Sequence, residues 1–473
     1  MKYNLIFLFI FLTFISLTKS IRLSYYTDSE TKLRQQTMES LTKISSNFYM
    51  VNYLNDYYLP DLLKFNNKDA TDLVEFAYQK FGTEYDFDIQ KLTSGFACSS
   101  FNVLNKENSN LFGRNFDYGS SPSLIIWTQP KTGYKSISFI HGRFLGINDE
   151  NNIIRDRLLL TPYAPMDGMN ELGLAISVLM LSNKSTHQTN PGLTDITTSV
   201  IIRGVLDTCA NLEEAINFFK KFNVHDAIEG SSFHFMITDA YGNSAVIEYV
   251  NNVMKIIKPS DIKNVNNYLY VTNFYLSPDS GSSSKMGYDR YLILEKYLSV
   301  KGIKMEWYNA MELLDKAKMG MTLWSNVYNT KNSTVITGIR RDYSILYEFN
   351  IFSPMQKIIK TLPGPEPEPT SEPEPTSEPK PTSEPEPTSE PEPTSEPKPT
   401  SEPQPTSEPE PTSEPKPTSD PDPKPTSEPT PTSIPDPTSE PGPGPTTEPK
   451  HLSGKFVRIN LGLFISIIIV NLF

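Results

Sequence analysis

Apolar residues recur along most of this chain with two different periods. Between residues 96 and 140 they alternate with polar ones or run in short blocks bounded by turns, the spacing of β-strands. Strands are predicted at 96–104 and 111–117, joined as a hairpin by the polar turn 105–110, and again at 123–128 and 136–140. Another is expected at 173–181, after a glycine-containing turn. Helical spacing takes over at 198–210 and 212–222, where Glu213 and Glu214 sit early and Lys220 and Lys221 late, as the helix dipole favours. Strands return at 233–238, 244–250, 253–257 and 269–272, helices at 289–298 and 307–317, and strands at 323–328, 333–339 and 343–348. In the leading stretch, Leu41, Phe48, Val51, Tyr53, Leu54 and Tyr58 recur at mixed helical spacing, so 30–90 reads as helical and aromatic-rich. Asp69, just before Ala70 and Thr71, is placed to cap a helix running to Phe81. Antiparallel hairpins with helices grouped between them predict an α+β layered fold.

Both ends carry further apolar runs. Lys2, the apolar stretch from Leu5 to Leu17, and the small residues Thr18 and Ser20 read as a secretory signal at 1–20. The far end is apolar from Ile459 to Phe473, after Ser453, Gly454, Lys455 and Arg458. Small residues, a short polar spacer and a terminal apolar tail form the pattern of a GPI-anchor signal at 450–473, with attachment at Ser453 or Gly454. A transmembrane helix is the rival reading, for which the tail is short.

Composition separates the folded body from a proline-rich tract. Of the 40 prolines, 31 fall in 361–450. That stretch also holds 20 acidic and 5 basic residues, a net of −15 against −12 for the whole chain, which leaves about +3 elsewhere. The six-residue repeat Pro-Glu/Lys-Pro-Thr-Ser-Glu across 364–449 fixes φ at alternate positions and removes donors. It therefore predicts a solvated, polyproline II-like stalk and no core. The body is near neutral and lacks a concentrated basic face, which argues against a nucleic-acid binder. Two cysteines, Cys98 and Cys209, exclude a disulfide-built scaffold and a cysteine-ligated zinc module. The sequons at Asn183 and Asn332 are candidate glycosylation sites in a secreted chain.

The five histidines, His141, His187, His225, His234 and His451, form no metal-like pair and no triad motif. A Cys–His hydrolase is therefore not the obvious reading of Cys98. Taken alone, a cysteine on a strand reads as a small core hydrophobe. Cys98, however, heads its strand after Ser94, Gly95 and Ala97. Arg114 and Asp117 stand on the neighbouring strand of the same hairpin, placed to hold a thiol and an amine close together. Cys209 reads as a structural residue in mid-helix.

The runs Cys98-Ser99-Ser100-Phe101 and Phe112-Gly113-Arg114-Asn115-Phe116-Asp117 resemble the choloylglycine hydrolase and penicillin V acylase family of linear amide hydrolases, which are N-terminal-nucleophile enzymes. Asp167-Gly168-Met169-Asn170-Glu171-Leu172-Gly173-Leu174 resembles the family's second signature. Asp195-Ile196-Thr197-Thr198, Val271-Thr272-Asn273-Phe274-Tyr275, Asp289-Arg290-Tyr291 and Thr322-Leu323-Trp324-Ser325 resemble later blocks, in order. The leading segment is similar to that of the acid ceramidase and N-acylethanolamine amidase branch.

The resemblance implies a four-layer αββα fold, with 21–97 as a helical propeptide or small subunit and 98–355 as the catalytic domain. It implies cleavage between Ala97 and Cys98, which makes Cys98 both nucleophile and, through its α-amino group, general base. By the same resemblance Arg114 activates the thiol, Asp117 hydrogen-bonds the α-amine, Asn273 donates to the oxyanion, and Arg290 completes the charged site. No cofactor or metal is implied. Near Met180 the chain departs from bile-salt hydrolases, which carry a second oxyanion asparagine there; this weakens the case for bile-acid amides. The expected substrate is a small N-acyl amide, fatty-acyl or ceramide-like. The expected place is the cell surface, with a secreted or lysosomal protein as the alternative. An acyltransferase using the same thioester and a catalytically inactive display protein are the competing readings of function.

Overall fold

The computed structural model describes residues 27–82, 97–181, 185–227, 230, 232–262 and 268–359. All lie in the first of two compact units, Met1–Ser377, the second being Glu378–Phe473. The expected signal at 1–20, the stalk at 364–449, the anchor signal with Ser453 and Gly454, the sequon Asn183 and the small residues Ser94 and Gly95 lie outside the described residues.

Strands β1 (Thr42–Ser45), β2 (Phe48–Tyr53), β3 (Ala97–Leu104), β4 (Asn110–Asp117), β5 (Ser123–Thr128), β6 (Ser136–His141), β7 (Asp167–Asn170) and β8 (Ala175–Leu181) come first. They are followed by β9 (Thr194–Thr197), β10 (Phe222–His225), β11 (Ser232–Thr238), β12 (Ser244–Val250), β13 (Val253–Ile257) and β14 (Tyr270–Val271). The last are β15 (Thr322–Asn329), β16 (Thr334–Ile339), β17 (Asp342–Asn350) and β18 (Ser353–Ile359). They build a nine-stranded sheet in the order β1-β2-β5-β6-β7-β8-β11-β12-β13 and a seven-stranded sheet in the order β14-β3-β4-β15-β16-β17-β18; β9 and β10 form a separate parallel pair.

Among the described residues the α-helices are α1 (Asp28–Glu39), α2 (Leu59–Leu62), α3 (Ala70–Phe81), α4 (Thr198–Thr208), α5 (Leu212–Phe219), α6 (Tyr288–Leu298) and α7 (Trp307–Lys316). Helix α4 packs on β7 and β8 and α5 on β11, while α6 packs on β14 and β3 and α7 on β15 and β4. The two sheets meet where β3 faces β8. The result is the expected helix–sheet–sheet–helix layering. One apolar core lies between the sheets and under α4 and α5, and a second, with Phe101, Val103, Leu111, Leu294 and Leu314, lies between the seven-stranded sheet and its helices. Among the described residues, no helix is long and apolar enough to cross a membrane.

The leading segment departs from the helical reading. Helices α1 and α3 form, α3 with the Asp69 carboxylate accepting from the Thr71 and Asp72 N–H groups. Residues 42–53, in contrast, make a hairpin whose second strand, β2, pairs in parallel with β5. Phe48 is buried against Phe139 between the sheets, while Val51 and Tyr53 are buried on the opposite face of β2, Tyr53 against Tyr57, and their mixed spacing is compatible with either period. The strand that decides between the two lies beyond a long intervening stretch. Two boundaries also move. Strand β18 carries the body to Ile359, past the expected end at 355. Cys209 stands at the C-cap of α4 with extended dihedrals, not in mid-helix, because the helix stops at Thr208.

Candidate active site

The β3–β4 hairpin sets the geometry. Its turn closes on Asn105, whose side-chain oxygen accepts from the N–H groups of Glu107 and Ser109 at 3.0 and 2.7 Å. The resulting register places Ala97 opposite Asp117, Cys98 opposite Phe116 and Ser100 opposite Arg114. Since side chains alternate along a strand, Cys98, Ser100, Arg114 and Phe116 share the face toward the other sheet. Side chains cross the gap there: Ser100 Oγ lies 2.9 Å from Ser177 Oγ, and Arg114 Nη2 donates to the Val178 carbonyl at 2.6 Å. Asp117 belongs to the opposite face, where α6 and α7 pack. On that face Gly113 cannot carry a side chain, because a Cβ would stand 2.3 Å from the Phe101 ring.

Cys98 therefore has a thiol side and a backbone side. On the thiol side, burial pushes the Cys98 thiol up from its usual value, and the Arg114 guanidinium is the strongest opposing influence. Arg114 is itself fully buried and faces Asp167, with Nε 3.5 Å from Oδ2. The Asp167 carboxylate also accepts from Trp324 Nε1 at 2.9 Å, Asn326 Nδ2 at 2.9 Å and the Tyr328 hydroxyl. Beside them the Trp324 and Phe116 rings stack with centroids 4.1 Å apart.

On the backbone side, the Cys98 N–H donates to Asn273 Oδ1 at 2.7 Å. The same oxygen accepts from Arg290 Nη2 at 2.7 Å, and Arg290 Nη1 donates to the Cys98 carbonyl. Asp117 Oδ1 accepts from Thr322 Oγ1 at 2.5 Å, and Oδ2 lies 3.5 Å from Arg290 Nη1. Burial raises the Asp117 carboxyl to about 6, against the pull of Thr322 and Arg290. Asn273 Nδ2 donates to the Met180 carbonyl at 2.8 Å. Arg290 reaches the cluster from the first turn of α6, whose N-cap Gly287 has φ +76° and would bring a Cβ within 2.3 Å of Nη2.

Cys98, Arg114, Asp117, Asn273 and Arg290, named from the sequence, thus form one buried cluster, contributed by four separate stretches of chain. The asparagine amide points toward the Met180 carbonyl, and the Asp117 carboxylate toward Thr322 and Arg290. Asn332 lies apart, exposed in the turn between β15 and β16. Sequence reading missed Asp167, Thr322 and Gly287 as parts of the site. The first two sat in recognised blocks, but nothing local says what their side chains face. Among the described residues, no group of three or more His, Cys, Asp or Glu side chains is arranged to hold a metal ion.

The stretch that builds this cluster also carries a family signature. Residues 98–276 match the linear amide C–N hydrolases, choloylglycine hydrolase family. The resemblance read from the ordered motifs holds. The match to the choloylglycine hydrolase family begins at Cys98 and includes Arg114, Asp117, Asp167 and Asn273, while Arg290 and Thr322 lie beyond it. No curated protein matches the chain. Among solved structures, a mutant conjugated bile acid hydrolase from Clostridium perfringens is similar at 15% identity, over 56% of this chain and 98% of that one, with TM-score 0.41. Penicillin V acylase from Agrobacterium tumefaciens is similar at 16% identity, over 54% and 87%, with TM-score 0.36. The Caenorhabditis elegans N-acylethanolamine-hydrolyzing acid amidase ortholog is similar at 16% identity, over 49% and 93%, with TM-score 0.33.

Proposed function

We propose that this protein hydrolyses linear N-acyl amides through Cys98, after the Ala97–Cys98 bond has been broken. One observation carries the reading. The nitrogen that cleavage turns into an α-amine already sits in a buried polar cluster, 2.7 Å from Asn273 Oδ1, while the thiol of the same residue shares its face of the sheet with Arg114 of the neighbouring strand. An α-amine titrates near 7.7–8.0, so it is a competent base at neutral pH and needs no histidine.

In the cleaved enzyme the amine takes the thiol proton, and sulfur attacks the amide carbonyl. The tetrahedral intermediate collapses as the ammonium returns its proton to the departing amine nitrogen, leaving a thioester on Cys98. Water, deprotonated by the same amine, then releases the carboxylic acid and the free thiol. Arg114 favours the thiolate. Departure of Ala97, the register partner of Asp117, opens the side of the amine toward that carboxylate. In this reading Asn273 offers the carbonyl oxygen the second N–H of Nδ2, the first being held by the Met180 carbonyl, and Arg290 adds its positive charge beside it.

The leading segment remains as a bound subunit in this reading. Strand β2 is part of the nine-stranded sheet, and the Tyr57 hydroxyl donates to buried Asp207 on α4 at 2.5 Å. The expected acyl chain is apolar, in keeping with the buried Phe116, Trp324 and Phe139 rings packed between the sheets. Display outside the cell, on the proline-rich stalk and held by a lipid anchor, completes the proposal. A phosphatidylinositol-specific phospholipase that leaves the protein on intact cells counts against the anchor. A panel of fatty-acyl amides, with Cys98→Ser as the blank and N-terminal sequencing of the active form, tests the chemistry. A fully active chain that is not cut before Cys98 would sink it.

A further inference from the structure

Next to the cluster lie two ionisable side chains that the proposed chemistry does not use. His234 on β11 and Glu248 on β12 are both fully buried. They face each other across neighbouring strands, with Nδ1 3.3 Å from Oε2. The other ring nitrogen of His234 lies 2.8 Å from the Thr272 carbonyl. Glu248 accepts from the Ser277 N–H at 2.6 Å and the Leu276 N–H at 3.3 Å. Residues 272–277 form an arc between the end of β14 and the 3-10 turn Pro278–Ser280. The pair therefore grips this arc at both ends, and Asn273 is carried on it.

The chemistry of the pair makes it stiff. A carbonyl only accepts, so His234 Nε2 carries a proton. Burial opposes ionisation of Glu248, but the hydrogen bond and charge of His234 and the Ser277 contacts outweigh it and hold the carboxyl below its usual range. His234 Nδ1 lies 3.3 Å from an oxygen of that carboxylate. Moving His234 away leaves the buried Glu248 carboxylate without one of its partners. Asn273, for its part, depends on narrow distances: its two oxygen contacts are 2.7 Å and its amide contact 2.8 Å.

We infer that the His234–Glu248 pair is a positioning device that sets the 272–277 arc so that Asn273 meets the Cys98 nitrogen. Its bearing on catalysis rests on the hydrolase reading above; its bearing on geometry does not. Neither residue touches the reacting atoms.

The first arm of the test needs no turnover. Hydrogen exchange of the intact chain is followed in peptides covering Cys98 and residues 272–277. His234→Leu should speed exchange there by about tenfold or more, as local opening is released. His234→Gln, which keeps an amide donor for Thr272, should restore most of the protection. Uniform loss of protection across the body, or none in these peptides, would overturn the inference. Glu248→Gln should give the same pattern more weakly, and it serves if His234→Leu does not fold. The second arm uses an acyl-amide substrate. His234→Leu should lower kcat about 10²-fold, the usual cost of a misplacement near 1 Å, with KM within about threefold. Adding Asn273→Ala to it should cost no more than about a further threefold, since coupled residues are not additive. Losses that multiply, or a raised KM with normal kcat, would refute positioning. A wild-type chain that cleaves no acyl amide while the first arm holds would instead defeat the hydrolase reading alone.

Discussion

Replacing Asp167 by asparagine isolates the charge that balances Arg114. The shape is kept, and one side-chain oxygen still accepts. Two things change. The buried Arg114 guanidinium, 3.5 Å away through Nε, loses its counter-ion, and breaking a buried pair from one side typically costs about 3–5 kcal/mol. Whichever way the new amide turns, its NH₂ faces a donor, either Trp324 Nε1 or the Asn326 and Tyr328 pair. A buried donor left without an acceptor adds about 1–3 kcal/mol. Asp167→Asn should therefore lose at least about 3 kcal/mol, a large share of the roughly 5–15 kcal/mol that holds a domain together. Urea unfolding of the purified body at pH 7 measures it. A second readout follows the sign of the charge. With Asp167 neutral, the positive field of Arg114 at Cys98 is no longer offset, so the thiol should become more acidic. In a Cys209→Ala background, the alkylation rate of Cys98 should rise at lower pH than in the parent. A stability loss below about 1 kcal/mol, the scatter of inconsequential substitutions, would show that Arg114 does not depend on Asp167 for its charge balance.

Three further outcomes are expected from other parts of the structure. Asp226 is buried, accepts from the Thr186 N–H and Thr198 Oγ1, and is pushed up by burial to about 7. Its unfolded carboxyl titrates near 3.9, so between those values the folded chain binds the extra proton and stability falls as pH rises. The advantage of Asp226→Asn over the parent in urea should thus grow by about 3 kcal/mol from pH 5 to pH 8, whereas parallel curves would contradict the assigned burial. Cys209 is a free, buried cysteine whose thiol burial raises to about 11; Cys209→Ala should keep turnover within several-fold, and a loss like that of Cys98→Ala would identify the wrong thiol. Gly287→Ala strains a residue at φ +76° and crowds Arg290 Nη2, so kcat should fall about tenfold or more with the fold intact by circular dichroism, as expected when an oxyanion-side donor is displaced; unchanged kcat would remove Gly287 from the site.

The sequence by itself determined the hairpin that carries the nucleophile, because strand alternation and the polar turn at 105–110 are local properties. It also determined the α+β class, most element boundaries after Phe96 to within a few residues, and the stalk composition. Ordered motifs named Cys98, Arg114, Asp117, Asn273 and Arg290 together. Tertiary structure alone decided the rest. The helical spacing of Phe48, Val51 and Tyr53 gave way to a strand because β5 offers a parallel partner and a buried face. The cap position of Cys209 depends on where α4 runs out of packing. Asp167 and Thr322 joined the site, and the His234–Glu248 pair met the 272–277 arc beside it, only when distant strands brought donors and acceptors within 3.5 Å. Local propensity sees neighbours in sequence; the environment of a buried charge is made by neighbours in space, and only the folded chain supplies them.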